Sequence, residues 1–288
     1  MKKKVLFLTT AMLLILSACK EASDIPVSIN VASFNIRLDT PNDSLDAWPN
    51  RKEMVKGLIA FHEFDLFGIQ EGFHHQITDI LELGDYAYVG SGRDDGLSAG
   101  EHSAIIYKKD RFEVLDNGDF WFSETPDVPG KGWDATCCNR ICSWASFRDK
   151  CSGSEFFLFN MHYDHEGEVA RRNSSLLMLQ RVREIAGDNP VICTGDFNAT
   201  PDSEPIRIIL QDGLLNDAYS TTKKPPYGTT GTFNSFRLDN PMQNRIDYVW
   251  TTGHFTVNKY GVLNDMQYGH FPSDHFPVLV NVTLNKSL

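Results

Sequence analysis

The chain has 288 residues, with 27 Lys+Arg against 38 Asp+Glu and a formal net charge of −11. With 41% hydrophobic and 23% charged residues it has the make-up of a globular protein, which excludes a disordered, collagenous or coiled-coil chain. The acidic balance argues against sequence-independent binding to nucleic acid, which depends on Lys and Arg neutralising phosphates. Six Cys are too sparse for a disulfide scaffold.

Residues 1–18 read as a secretory leader. Met1–Lys4 carries three Lys, and the apolar Val5–Leu16 is too short to span a bilayer comfortably. Leu16-Ser17-Ala18-Cys19 resembles a bacterial lipobox, at which Cys19 is acylated and becomes the new N-terminus; a plain signal peptide with an incidental Cys is the alternative. Processing there leaves 24 Lys+Arg and 38 Asp+Glu, a balance of −14. Residues 19–26 are then a polar tether, in which Lys20–Asp24 resembles the surface-export signals of some Gram-negative lipoproteins. Residues 27–288 form one domain. The expected location is the bacterial cell envelope, at the outer membrane or cell surface, with the lipid as membrane anchor.

Within the domain, alternation and β-forming residues predict a strand over Ser28–Ile36. Met54, Val55, Leu58 and Ile59 stand at helical spacing in Asn50–Phe61. Phe64–Gln70 reads as a buried strand ending at Glu71, Phe73–Leu83 as a helix and Tyr86–Val89 as a short strand. Ser103–Tyr107 and Phe112–Phe120 flank Lys108-Lys109-Asp110-Arg111 and predict a hairpin. Strands follow at Ile141–Phe147 and Glu155–His162, then the longest helix, Glu166–Ala186. Val191–Thr194 is a buried strand leading into Gly195-Asp196-Phe197-Asn198. After an irregular stretch come strands at Ile246–Thr251, Phe255–Val262 and Phe276–Val282. The mixture predicts an α/β sandwich of two sheets covered by helices.

Polar groups at the ends of these strands carry the chemistry. Asn35, Glu71, His162, Asp196, Asn198, Asp247, Asp274 and His275 all stand where an apolar run stops or starts. Burying such groups is costly unless they pair or hold an ion. Strand ends converging from distant segments are where α/β proteins build sites. Taken singly, an Asn or acid ending a strand is better read as a turn former or hydrogen-bonded cap, and a His before an apolar strand as structural.

In this order and context the residues resemble the endonuclease/exonuclease/phosphatase superfamily. The resemblance spans Ile29 to Val282 and is most specific at Gly195–Asn198 and Ser273–His275. It implies a four-layer α/β sandwich, DNase I-like, with two β-sheets packed face to face and helices outside. It also implies hydrolysis of phosphoester bonds with Mg²⁺, for which Mn²⁺ is a substitute. Glu71 matches the metal ligand, Asn35 the residue that orients it, and Asp274 a further ligand; hard oxygens suit Mg²⁺. Asp196 matches the carboxylate that positions or deprotonates the attacking water, and Asn198 an amide on the phosphate or that water. His275 matches the His paired with Asp247. His162 matches the second His, for which Glu101 stands as the acidic partner, so that two imidazolium groups flank the phosphate.

Arg140 reads as a second phosphate clamp or, equally, a surface salt bridge. Trp144 reads as core, and Trp121 and Trp133 as core or loop packing. Cys137, Cys138 and Cys142 lack the spacing and the fourth ligand of a zinc site; one or two disulfides are expected once the chain is exported. The mature charge and the absence of a Lys/Arg block favour a small or membrane-borne phosphoester, cleaved as a monoester or a diester by a monomer. A secreted or surface DNase or RNase is the alternative within the class. A non-catalytic binding lipoprotein is the alternative outside it.

Overall fold

The computed structural model describes residues 28–285. The leader, Cys19 and the tether lie outside the described residues. Strands β1 (Ser28–Asn35), β2 (Leu66–Gln70), β3 (Tyr86–Val89), β4 (Ile105–Lys108), β11 (Phe255–Val262) and β12 (Val278–Leu284) form one six-stranded sheet, ordered β11-β12-β1-β2-β4-β3. Strands β5 (Phe112–Trp121), β6 (Ile141–Asp149), β7 (Glu155–His162), β8 (Val191–Asp196), β9 (Asn216–Asp217) and β10 (Asp247–Thr251) form the other, ordered β5-β6-β7-β8-β10-β9. Helices α1 (Trp48–Phe61) and α2 (His74–Leu81) cover the first sheet; α3 (Glu168–Ala186) and α4 (Glu204–Asp212) cover the second. A short α5 (Ala218–Thr221) follows β9. The expected four-layer sandwich is what forms.

Period-two alternation builds the layers. In β1, Val31 points between the sheets, while Ala32 and Phe34 point to α1 and α2. In β7, Phe156 and Leu158 point inward, while Phe159 and Met161 meet α3. On α3, Met178, Val182 and Ala186 recur four residues apart and cover Phe159 and Trp250.

Toward one edge the inter-sheet filling turns polar. Asn160, inward on β7, donates to the carbonyls of Ile69 (2.7 Å) and Ala104 (3.0 Å) in the facing sheet. Its Oδ1 accepts from Gln70 (2.7 Å) and Thr194 (3.0 Å). Gly68 makes this approach feasible, since a Cβ there would lie 2.1 Å from Asn160 Oδ1. With its four hydrogen bonds satisfied, the buried amide locks the two sheets in one register instead of weakening the core.

Two elements differ from expectation. Ser103–Tyr107 and Phe112–Phe120 are not a hairpin: β4 and β5 belong to different sheets. The link between them crosses the sandwich, where Arg111 binds Asp65 (2.7 Å) just before β2 and Asp149 (3.0 Å) at the end of β6. A charged tetrapeptide looks like a turn in either case; only this long-range ion pairing separates the two. Helix α4 lies in the stretch read as irregular. Pro205 sits in its first turn, where a missing N–H costs nothing, Ile206 and Ile209 are buried, and Gly213 closes it at φ 79°.

Candidate active site

Strand register assembles the site. β7 and β8 run parallel with His162 beside Asp196, and β10 runs antiparallel with Asp247 beside Asp196. In the other sheet β1 and β2 run parallel, so Asn35 and Gln70 end level and Glu71 follows. β12 runs antiparallel to β1, which brings Asp274 and His275, just before it, to the same edge. Glu71 (φ 63°) and Asn198 (φ 46°) both adopt the left-handed backbone that bends the chain sharply after its strand. Non-glycine residues seldom do so outside constrained sites.

Asn35 joins the two halves: its Nδ2 donates to Glu71 Oε1 (2.9 Å) and to Asp196 Oδ2 (3.0 Å). The Leu38 N–H donates to Glu71 Oε2 at 3.2 Å. Burial works to raise the Glu71 pKa, but the charge on His275, the Asn35 amide, Arg37 and Leu38 together hold it below the ordinary carboxylate value. Asp196 goes the other way: burial, then the charge on Asp247, pushes it up to about 7. Asp274 rises to about 6, through burial and the negative charge of Glu71.

The pair His275–Asp247 forms as expected, Nδ1 to Oδ2 at 2.9 Å. Burial would discharge this ring, but Asp247 and Asp196 overrule it and hold His275 protonated well above the ordinary imidazole value. Its Nε2 stands 3.8 Å from Asp196.

The Glu101–His162 pair does not form. Arg93 holds Glu101 through two hydrogen bonds of 2.7 Å. Burial nevertheless pushes Glu101 up to about 7, against the Arg93 charge. His162 instead meets Arg140 Nη1 and Asn198 Nδ2, each 3.1 Å from Nε2, and Asp196 at 3.5 Å. Two donors on Nε2 make it an acceptor and place the ring proton on Nδ1. Burial, with Arg140 and Arg93 nearby, drops its pKa well below the ordinary value, so one imidazolium and one neutral imidazole flank the site, not two imidazolium groups.

Arg140 is no surface salt bridge. It is 4% exposed, and reaches His162, His165 (2.6 Å) and Asp164 (3.4 Å) from the cavity wall. Arg37, two residues after Asn35, was not singled out from the sequence. Asp43 fixes its guanidinium at 2.9 Å, and it stands 3.7 Å from Glu71 and 3.9 Å from Asp274. A basic residue two positions beyond a strand-ending Asn was the available signal. Arg93 had none, because its role depends on a partner brought round by the loop before β4. Trp121 is buried, whereas Trp133 and Trp144 are partly buried against the helix-side core.

All ten sequence-predicted positions within the described residues gather here. Glu71, Asp274, Arg140, His162, Asp196, Asn198, Glu101 and His275 line a single cavity of about 760 Å³; Asn35 and Asp247 support it from behind. Ligand atoms of Glu71, His162 and Asp196 lie within 4.8 Å of one another, as do those of Asp196, Asp247 and His275. The donor set fits a divalent cation: the charge on Asp247 helps raise the pKa of Asp196 and that on Glu71 the pKa of Asp274, and one buried oxygen, Asp247 Oδ1, has no hydrogen-bond partner.

A two-sheet sandwich with carboxylates, imidazoles and amides gathered at one edge, in one cavity, defines a hydrolase of phosphoesters. Residues 28–275 match the model of the Endonuclease/Exonuclease/phosphatase family, and the chain belongs to it. Members of the family are phosphoester hydrolases, typically dependent on a divalent metal. A solved family member from Bacteroides thetaiotaomicron is 42% identical, with a TM-score of 0.88 over 91% of this chain and 100% of that one. A mannosyl-6-phosphatase from Bacteroides thetaiotaomicron VPI-5482 is also 42% identical, with a TM-score of 0.84 over 88% of this chain and 99% of that one. An uncharacterized protein of Acanthamoeba polyphaga mimivirus is 27% identical over 261 residues, 82% of this chain and 92% of its own length.

Proposed function

We propose that the chain is a Mg²⁺-dependent phosphatase acting on a small sugar phosphate. The observation that carries this reading is the site itself: a charged floor at the bottom of one cavity of about 760 Å³, a size that holds a small ligand. The likeness to a mannosyl-6-phosphatase supports a hexose 6-phosphate as substrate.

In this reading Glu71 and Asp274 hold the metal and Asn35 orients Glu71. When bound, the metal polarises the phosphoryl group and offsets charge on the leaving oxygen. Asp196 takes a proton from the attacking water, for which a pKa of about 7 is well placed. Its own orientation is fixed by Asn35 and by the Asn198 N–H at 2.9 Å. Water oxygen bonds to phosphorus as the ester P–O bond breaks, the bonding pair leaves with the sugar oxygen, and that oxygen takes its proton from solvent water. His275, charged, and Arg140 donate to the phosphoryl oxygens as negative charge builds, which is the larger part of catalysis at such a centre. Neutral His162 accepts from Arg140 and Asn198 at Nε2, and so fixes both donor side chains on the cavity floor.

The test is a panel of sugar phosphates, inositol phosphates, sphingomyelin, RNA and plasmid DNA, each with Mg²⁺ and with EDTA. Mannose 6-phosphate should release phosphate only with the metal. Cleavage of plasmid DNA or RNA with no sugar phosphate hydrolysed would replace this reading with a nuclease. EDTA-insensitive turnover would remove the metal.

Metal binding should also show in stability. Asp196 and Asp274, raised to about 7 and about 6, bind protons more tightly in the folded chain than in the unfolded one. Between the ordinary Asp value and those pKa values they therefore destabilise the metal-free fold as pH rises. A cation displaces the same protons. The Mg²⁺-induced rise in Tm should accordingly be larger at about pH 8 than at about pH 5. Equal rises at the two pH values would mean these carboxylates do not face the metal.

The anchor is a proposal from Leu16–Cys19 alone. Cys19→Ala should abolish incorporation of labelled fatty acid and release the protein from the membrane or leave it unprocessed; unchanged labelling would refute the lipoprotein reading.

A further inference from the structure

The loop between β5 and β6 carries Cys137 and Cys138, which are adjacent in sequence and joined by a disulfide. This is neither of the pairings a scaffold would use, since it closes no loop of chain and staples no two elements. Its place is informative. Both residues line the cavity that holds Asp196, His162 and His275. The loop is pinned on both sides of them. Asp134 accepts from the Val169 (3.1 Å) and Ala170 (2.7 Å) N–H groups at the start of α3. The Thr136 hydroxyl donates to the Glu166 carboxylate, and Asn139 donates to the Arg93 carbonyl at 3.2 Å. Arg140 ends the loop and reaches His162 on the floor.

The chemistry of the wall differs from that of the floor. Carboxylates, imidazoles and guanidinium groups suit the phosphoryl group. A disulfide offers two polarisable sulfurs and no N–H or O–H donor, so it suits the C–H face of an organic group. A phosphate monoester has one part of each kind. Two cysteines are also not needed to hold this loop, which Asp134, Thr136 and Asn139 already tie down.

We infer that the Cys137–Cys138 disulfide determines substrate specificity, as one apolar face of the cavity against which the sugar of the phosphoester packs, beside Leu38, Phe233 and Ile246, and that reduction weakens this recognition. The inference rests on the sugar phosphatase reading above. Reduction by a phosphine breaks the S–S bond; phosphorus becomes the phosphine oxide with an oxygen from water, and each sulfur gains a proton. Among the described residues the other cysteines, Cys142, Cys151 and Cys193, are free thiols, so this pair is the target of the reductant.

The experiment uses the full chain with Mg²⁺ and compares three forms: as purified, treated with a water-soluble phosphine, and Cys137→Ser with Cys138→Ser. Mannose 6-phosphate is the substrate, and inorganic phosphate, which has no organic part, is the competitive inhibitor. Reduction and the double substitution should each raise KM roughly 10-fold, the scale of losing one apolar contact in a specificity pocket. Both kcat and the phosphate inhibition constant should stay within about two-fold. Reoxidation should restore the wild-type KM, and the Ser variant should ignore the phosphine. Unreduced peptide mapping should find the Cys137–Cys138 peptide resistant to alkylation.

An unchanged KM overturns the inference. So does a KM and a phosphate inhibition constant that rise together, because the loop would then be supporting the floor through Arg140 and not contacting the sugar. An alkylatable pair in the purified protein, or a Ser variant that still responds to the phosphine, overturns it as well. If the Ser variant does not fold, the reduction and reoxidation of the wild-type chain decide. A purified chain that hydrolyses no sugar phosphate overturns the phosphatase reading and this inference with it, whereas full turnover with no response to reduction overturns the inference alone.

Discussion

Glu71→Gln should weaken Mg²⁺ activation by at least roughly 100-fold, seen as the Mg²⁺ concentration needed for half-maximal kcat. The substitution keeps the shape of the side chain but removes the charge and one of the two acceptor oxygens, so that of the donations from Asn35 (2.9 Å) and the Leu38 N–H (3.2 Å) only one is kept. Of the site's carboxylates, Glu71 is the one held below the ordinary value, so it is ionised at any pH at which the enzyme works. Asp274 at about 6 and Asp196 at about 7 become full ligands or bases only once a cation or a higher pH removes their protons. Glu71 is therefore the charge a metal meets first. Thermal unfolding without metal should move modestly downward, because a carboxylate held below its ordinary value stabilises the fold, and the attraction lost to His275 and Arg37 outweighs the repulsion lost toward Asp274. Calorimetric titration with Mg²⁺ gives a readout independent of turnover. Full activity of the variant at limiting Mg²⁺, with unchanged binding heat, would show that Glu71 is not the ligand.

That such a site was legible at all follows from how sheets are built. A buried strand is a short apolar run, and a polar residue that ends it stands at the sheet edge whatever the strand's neighbours are. That rule places Asn35, Glu71, His162, Asp196 and His275 at sheet edges; it was the resemblance of their order and context to the family that singled them out as a site. Roles that depend on a neighbour could not. Glu101 and His162 are both in the cavity, but Arg93 claims the carboxylate, and nothing in Gly100-Glu101-His102 announces that an arginine eight residues earlier in sequence folds back onto it. The same loss of information separated β4 from β5. Local pattern specifies strands; the sheet a strand joins is decided by long-range pairing such as Arg111 with Asp65 and Asp149. Helix α4 was hidden differently: Pro205 reads as a breaker until the Ser before Glu204 marks the position as a first turn.

The second large effect concerns His275 and Asp247, which should act as one unit. His275→Ala is expected to lower kcat roughly 10²–10⁴-fold with little change in KM, the range for a donor that matters mainly as charge builds on the phosphoryl oxygens. Asp247→Asn should fall in the same range, because Asp247 is fully buried and its one strong contact is His275 Nδ1 at 2.9 Å. An amide there no longer holds the ring charged, and a neutral imidazole is a weaker donor. The double variant should be no slower than the slower single variant. The pH profile separates the two substitutions from a general disruption. Asp196 is raised by the charge on Asp247 and lowered by that on His275. His275→Ala removes the positive charge alone, so the acid limb of the profile should move to higher pH. Asp247→Asn removes a negative charge and, by discharging the ring, a positive one, so the limb should stay near about 7. Additive losses in the double-mutant cycle, or acid limbs that shift alike in both single variants, would mean that the two side chains act independently on the phosphate and that the hydrogen bond between them is structural.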